Sequence, residues 1–240
     1  FVIDSTTPTV EITSPSENSI LRGTVEIKGS VTDNNLSHYN ISIYKDGDDT
    51  QDSSLRIEQK TEYTSEFSEK TLYTWDTTNG NFPDGVYQIR LAARDKAGNR
   101  DLNGISEQII KVTVDNTAPT TTLASNLSNT YTNKPIFISG QSIDTNGVDS
   151  VNIFYRVTGT TDWTSITTLD NTPNTSPYDW SYTWTPLSDG TYDIKISATD
   201  TVGNIEQSAY ISSLTYDSTA PTITVFGIAS DILNISATDS

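Results

Sequence analysis

Acidic and amide side chains recur at matching offsets along the chain, and they are the residues best suited to hold a metal. Asp4, Asp33, Asp95 and Asn99 form a first set, Asp115, Asp144, Asp200 and Asn204 a second, and Asp217 and Asp239 begin a third. Asp33 follows Asp4 by 29 residues, as Asp144 follows Asp115, and Asp95-x-x-Gly98-Asn99 returns as Asp200-x-x-Gly203-Asn204. Carboxylates brought together repel unless something compensates them. Calcium is the natural compensating ion, because it takes six to eight hard oxygen ligands and tolerates irregular geometry. An affinity on the order of 10⁻⁴ to 10⁻³ M, typical of extracellular modules, is expected. The competing reading needs no ion: Asp-x-Thr-x-Pro is a turn in which Asp accepts from backbone amides and Pro bars strand pairing.

Other chemistries lack their parts. The single histidine, His38, has no thiol to activate, since the chain has no cysteine, and it has no counterpart in the second set. Paired carboxylates can cleave glycosides, yet these acids repeat as a structural element does. No Gly-rich phosphate loop or His-rich metal motif occurs. The sequence therefore reads as a non-enzyme.

The acids sit in an internal repeat. Asp4-Ser5-Thr6-Thr7-Pro8-Thr9 returns as Asp115-Asn116-Thr117-Ala118-Pro119-Thr120 and as Asp217-Ser218-Thr219-Ala220-Pro221-Thr222, at intervals of 111 and 102 residues. Gly29 matches Gly140, and Asp84-Gly85-Val86-Tyr87 matches Asp189-Gly190-Thr191-Tyr192. Such periods mark repeated structural units. The expected boundaries are 1–3 for the end of a preceding module, 4–115 and 116–217 for two whole modules, and 218–240 for the start of an incomplete third. The absence of methionine, even at residue 1, suggests a natural start that lies elsewhere or was removed.

Strands must carry these residues. Tyr87, Ile89, Leu91 and Ala93 alternate with Gln88, Arg90 and Ala92; Tyr192, Ile194, Ile196 and Ala198 alternate with Asp193, Lys195 and Ser197. Period two with one polar face marks antiparallel sheets on a core. Turn signals at Asp46-Gly47, Asn79-Gly80, Asp84-Gly85 and Gly98-Asn99 divide the first repeat into about seven strands, near 8–12, 24–32, 39–45, 54–59, 70–76, 86–95 and 106–114. The predicted fold is all-β, with tandem immunoglobulin-like antiparallel β-sandwiches of about seven strands each. Tyr87 and Tyr192 begin a strand where such sandwiches bury a tyrosine whose hydroxyl bonds nearby backbone. Asp84 and Asp189 read as turn formers.

Asp-x-Thr-x-Pro, Asp-Gly-x-Tyr and Ala-x-Asp-x-x-Gly-Asn together resemble the bacterial immunoglobulin-like repeats of surface adhesins and secreted multidomain proteins. That resemblance implies stalks, spacers and, in some cases, ligand-binding tips, and in some adhesins it implies linkers that bind calcium. The leading expectation is a structural stalk or spacer of a cell-surface or secreted adhesin-like protein, extracellular, with calcium-stiffened junctions. Its partners are then neighbouring modules of the same chain, with surface glycans or self-association in a surface assembly as further candidates. The rival expectation is a carbohydrate-binding or accessory region of a secreted hydrolase. It draws on Trp163, Tyr178 and Trp180. Tyr178, Trp180, Tyr182 and Trp184 alternate along one strand and share a face; Tyr182 and Trp184 match Tyr73 and Trp75 of the first repeat and read as core, and core or edge packing is the alternative use of Tyr178 and Trp180.

Composition agrees with these expectations. A net charge of −17 argues against nucleic acid and against docking on anionic membranes. A hydrophobic content of 33% suits narrow sandwiches in which alternate strand residues are buried. No apolar run approaches the ~20 residues of a spanning helix.

Overall fold

The computed structural model describes residues 3–47, 56–63, 65–100, 106–206, 209–229 and 232–238. It divides into two compact units, Phe1–Thr117 and Ala118–Ser240. Every regular element among the described residues is a strand.

In the first unit the strands are β1 (Thr9–Ser14), β2 (Ile20–Leu21), β3 (Thr24–Thr32), β4 (Leu36–Lys45), β5 (Arg56–Glu62), β6 (Phe67–Asp76), β7 (Gly85–Asp95) and β8 (Glu107–Val114). They form one sheet in the order β1-β3-β6 and another in the order β2-β8-β7-β4-β5. The alternation of β7 sets its inner face: Tyr87, Ile89 and Leu91 are fully buried, and Ile43 and Ile41 of β4 lie opposite Ile89 and Leu91. Trp75 of β6 closes the core with Phe82 and Tyr87 edge-on to it, at ring separations of 5.6 and 5.4 Å.

The second unit repeats this order. Its strands are β9 (Thr120–Leu123), β10 (Tyr131–Thr132), β11 (Ile136–Ile143), β12 (Val148–Val157), β13 (Thr164–Asp170), β14 (Tyr178–Trp184), β15 (Gly190–Asp200) and β16 (Ala209–Tyr216). The sheets run β9-β11-β14 and β10-β16-β15-β12-β13. Beyond them β17 (Thr222–Ala229) and β18 (Ile232–Thr238) form an antiparallel hairpin.

Among the described residues each sandwich therefore has eight strands rather than about seven, because the first strand splits. β1 pairs antiparallel with β3, the chain turns through Pro15 and Asn18, and β2 then pairs parallel with β8 in the other sheet. Proline has no N–H to extend the first ladder, and Asn18, at a φ of 63°, makes the left-handed turn that asparagine tolerates. Asn129 does the same at a φ of 59° before β10 pairs with β16.

Gly29 and Gly140 match for a packing reason. A Cβ on Gly29 would lie 2.6 Å from the Glu11 carbonyl oxygen and 2.8 Å from Leu72, and one on Gly140 would lie 2.5 Å from the Thr122 oxygen and 2.6 Å from the Trp180 ring. Each glycine lets the edge strand and a large core side chain approach the middle strand of the small sheet.

Candidate functional site

The repeated acids end strands. Asp33 follows β3 and Asp95 ends β7, and in the second unit Asp144 follows β11 and Asp200 ends β15. Asp95 and Asp200 are held by the same turn. The Asn99 backbone amide donates to Asp95 Oδ1 (2.6 Å) and its side-chain amide to Asp95 Oδ2 (2.8 Å). The Asn204 backbone amide donates to Asp200 Oδ1 (2.8 Å) and its side-chain amide to Asp200 Oδ2 (2.6 Å). Gly98 and Gly203, at φ of 91° and 87°, make the loop possible. A carboxylate that is 2% exposed, as both of these are, must be satisfied by such donors or by a cation.

In the first unit the set reaches Asp4. Asn99 Nδ2 donates to the Asp4 carbonyl oxygen at 2.9 Å, and Asn35 Nδ2 donates to Asp4 Oδ2 at 2.7 Å. Asn35 is itself turned by its backbone amide, which donates to Asp33 Oδ1 at 2.7 Å. Asp4, Asp33, Asp95 and Asn99 thus fall within one hydrogen-bonded cluster at one end of the sandwich. Asn99 enters it as a donor through its amide, not only as a carbonyl oxygen. The Thr6 hydroxyl, then the Asn35 amide, hold the Asp4 carboxyl below the usual aspartate value.

Asp144, Asp200 and Asn204 occupy the corresponding end of the second unit, where the Asn146 amide donates to Asp144 Oδ1 at 2.8 Å. Asp115 and Asp217 each head an Asp-x-Thr turn like that of Asp4: the amides of Thr6, Thr117 and Thr219 donate to the aspartate Oδ1 at 3.1, 3.2 and 3.0 Å. Asp239 lies outside the described residues.

One repeated role goes beyond the turn that sequence suggested. Asp84 reaches the segment leaving its own unit, accepting from the Asn116 amide at 2.9 Å and the Thr117 hydroxyl at 2.5 Å. Asp189 does the same, accepting from the Ser218 amide at 2.7 Å and from the Thr219 hydroxyl. Asn116 adds a second anchor, accepting from the Gly23 amide at 3.0 Å and donating to the Thr77 carbonyl at 3.0 Å. The signal was present in the repeat, since each Asp-Gly-x-Tyr precedes an Asp-x-Thr, but the two lie about thirty residues apart and only the folded chain joins them.

The tyrosines behave as expected of the sandwich. Tyr87 donates to the Pro83 carbonyl and Tyr192 to the Ser188 carbonyl, each at 2.7 Å. Burial, then the Asp84 charge, push the Tyr87 hydroxyl up to about 12. The shared aromatic face of β14 points inward: Trp180 and Trp184 are buried, and Tyr178 and Tyr182 pack on the same core. Trp163 lies beneath Arg156, 4.5 Å from the ring centre, and tilts 49° to Tyr210. His38 shares a cavity with Arg90, Arg94 and Arg100, and Glu107, which also lines it, is paired with Arg90 at 2.6 Å.

Residues 8–91 match the family model described as bacterial Ig domain. Residues 176–237 match that of bacterial Ig-like domain (group 3). The chain is built of bacterial immunoglobulin-like modules. Immunoglobulin-like modules of this kind are typically non-catalytic and commonly occur in extracellular or surface proteins. Comparison with curated proteins gave no match. Among solved structures, the chain is similar to a chain of the complex of Dpr2 Ig1–Ig2 with DIP-Theta Ig1–Ig3, at 13% identity and a TM-score of 0.29 over 85% of this chain and 63% of that one. Latent PorU from Porphyromonas gingivalis is similar at 14% identity and 0.31, over 92% of this chain and 25% of that one. Red sea bream transglutaminase is similar at 6% identity and 0.28, over 87% and 31%. The chain thus spans less than two thirds of each. No helix among the described residues is long and apolar enough to cross a membrane.

Proposed function

We propose that this chain is a spacer segment of an extracellular, adhesin-like surface protein, without catalytic activity, whose modules hold their connecting segments in fixed directions. One observation carries the reading: the first unit ties down both the segment that leads into it and the segment that leaves it. Asp4 is held by Asn35 and Asn99 on one side, and Asn116 and Thr117 by Gly23, Thr77 and Asp84 on the other. Both segments are copies of the same Asp-x-Thr-x-Pro motif. A module that grips both the copy leading into it and the copy leaving it restricts the directions those segments can take. The first test uses the absence of cysteine: spin labels at Glu17→Cys and Asp162→Cys, both exposed, give a narrow distance distribution in pulsed electron resonance. A distribution as broad as that of a flexible linker overturns the spacer reading.

Calcium belongs to the same proposal. Asp115, Asp144 and Asp200 are each buried and each offers a carboxylate oxygen, which supports a hard cation as the further stabiliser of such segments. Asp4, Asp33, Asp95 and Asn99, with Asn204, Asp217 and Asp239, are the corresponding residues of the repeat. Calorimetric titration of the chain measures heat and a rise in melting temperature at ~10 mM calcium. A flat titration removes the ion and leaves the hydrogen-bonded grip to act alone.

A further inference from the structure

The two modules differ at one place between their sheets. In the first, the six-membered ring of Phe82 fills the space beside Trp75 and Tyr87 and is 7% exposed. Trp184 and Tyr192 repeat that pair, at a ring separation of 5.3 Å against 5.4 Å. Leu187 stands where Phe82 stood, two residues before the Asp-Gly, and is fully exposed. The cause is loop length: eight residues separate Trp75 from Asp84, and four separate Trp184 from Asp189. The shorter loop does not carry its apolar side chain back between the sheets.

Tyr155 packs beside that pair instead, at 5.0 Å from Trp184 and 5.9 Å from Tyr192, and a cavity of about 480 Å³ remains open at the seam between β13 and β14, within the roughly 300–1,000 Å³ of small-molecule clefts. Tyr155, Tyr182 and Trp184 line it with aromatic surface, and the exposed hydroxyls of Thr164, Ser165 and Ser188 form its rim. None of its lining side chains is charged, in a chain of net charge −17. A cationic ligand would call for a carboxylate and an anionic one for a basic group, and the lining offers neither. A ring with apolar C–H faces and hydroxyl edges matches both the aromatic floor and the hydroxyl rim.

We propose that this seam of the second module binds a neutral saccharide, one pyranose ring lying in the cavity against Tyr155, Tyr182 and Trp184. The site is distinct from the spacer role, which rests on the acidic ends of the modules.

The test is affinity electrophoresis and tryptophan fluorescence of the whole chain against neutral glucans, mannans, galactans and chitin oligosaccharides, with choline and a sialylated glycan as charged probes. Binding of at least one neutral sugar, with little response to the charged probes, is the expected result. Ser165→Trp places a bulky ring at the exposed rim and is expected to abolish binding with the thermal transition unchanged. Tyr182→Ala is expected to weaken binding about tenfold, or ~1.4 kcal/mol. Should the second variant fail to fold, the first decides alone. Three outcomes overturn the proposal: no neutral sugar binds, a charged probe binds better, or Ser165→Trp binds as well as the unaltered chain.

Discussion

The acidic ends and the sheet seams of these modules follow opposite rules. At the ends the two modules agree almost atom for atom: Asn99 and Asn204 hold Asp95 and Asp200 through the same pair of amides, and Asp84 and Asp189 grip the outgoing segment through the same pair of donors. At the seams they part, with Phe82 buried in one and Leu187 exposed in the other. The rival edge strands part as well. β5 reads Arg-Ile-Glu-Gln-Lys-Thr-Glu and β13 Thr-Ser-Ile-Thr-Thr-Leu-Asp, so one edge carries the charges that discourage strand addition and the other carries almost none. What repeats sets how the chain leaves each module, and what does not repeat gives a single module its own surface.

The sharpest way to break that comparison is through the paired tryptophans. Trp75→Ala removes a fully buried ring packed on two other rings and is expected to cost ~3–5 kcal/mol. Trp184→Ala removes a ring that also packs on two others, Tyr155 and Tyr192, but is 8% exposed and lines the open cavity, so it should fall toward the lower end of that range. Hydrogen exchange resolved for each module, combined with urea unfolding, separates the two. Equal losses would mean that the seam of the second module is as closely packed as the first.

The glycines sharpen the likeness instead. Gly29→Ala and Gly140→Ala both drive a methyl group against a backbone carbonyl oxygen closer than van der Waals contact allows. Each is expected to cost ~1–3 kcal/mol, by similar amounts in the two modules, again read by module-resolved exchange. A large difference would show that the small sheets differ more than their matching strand order suggests.

Much of this was legible in the chain itself, for reasons that particular residues show. The inward face of β7 and β15 follows from strict alternation, because a strand has only two faces. The matched glycines and tyrosines were visible as spacing, and each proved to have a steric or hydrogen-bonding cause. The split first strand was not legible, since Ile20–Leu21 is too short to carry a period. Nor was the donor role of Asn99, because the residue type does not say which end of an amide faces the carboxylate. The face shared by Tyr178, Trp180, Tyr182 and Trp184 was legible, but whether it met core or solvent depended on which way β14 lay against β11. The seam cavity depended on a loop length whose consequence appears only once Leu187 fails to reach the place of Phe82.

Alkaline titration probes Tyr87 in the first module, and Tyr178, which burial and then the Asp170 charge also raise, in the second. The Tyr87 hydroxyl is raised from its ordinary value of 10 to about 12 by burial and by Asp84, so its protonated form is favoured in the folded state. The stability this contributes is fully present below pH 10 and is lost as pH rises from 10 toward 12. Thermal unfolding followed by exchange should show the first module weakening over that window. Tyr87→Phe should flatten the dependence while costing ~0.5–1.5 kcal/mol at neutral pH through the lost bond to Pro83.

The smallest effects belong to the grips, and they bear most directly on the likeness of the two ends. The Asp189 carboxyl is held below its ordinary value, first by the Thr219 hydroxyl and then by the Ser218 amide, and that of Asp4 first by the Thr6 hydroxyl and then by Asn35. A depressed carboxyl stabilises the folded form above the ordinary aspartate value of 3.8 and stops doing so as pH falls below it through the folded value. Amide resonances of Thr6, Ser218 and Thr219 should therefore move together below pH 4 while those of the buried strands β7 and β15 stay in place. Asp189→Asn should remove the acid response of the Ser218 amide and leave that of Thr6 intact, because the two grips share no residue. Asp84→Ala should loosen Thr117 at neutral pH while Asn116 keeps its bonds to Gly23 and Thr77, and Asp189→Ala should loosen Ser218 and the Thr219 side chain. If one substitution loosens its segment and the other does not, the outgoing segments are held by different forces, despite matching bonds at Asp84 and Asp189.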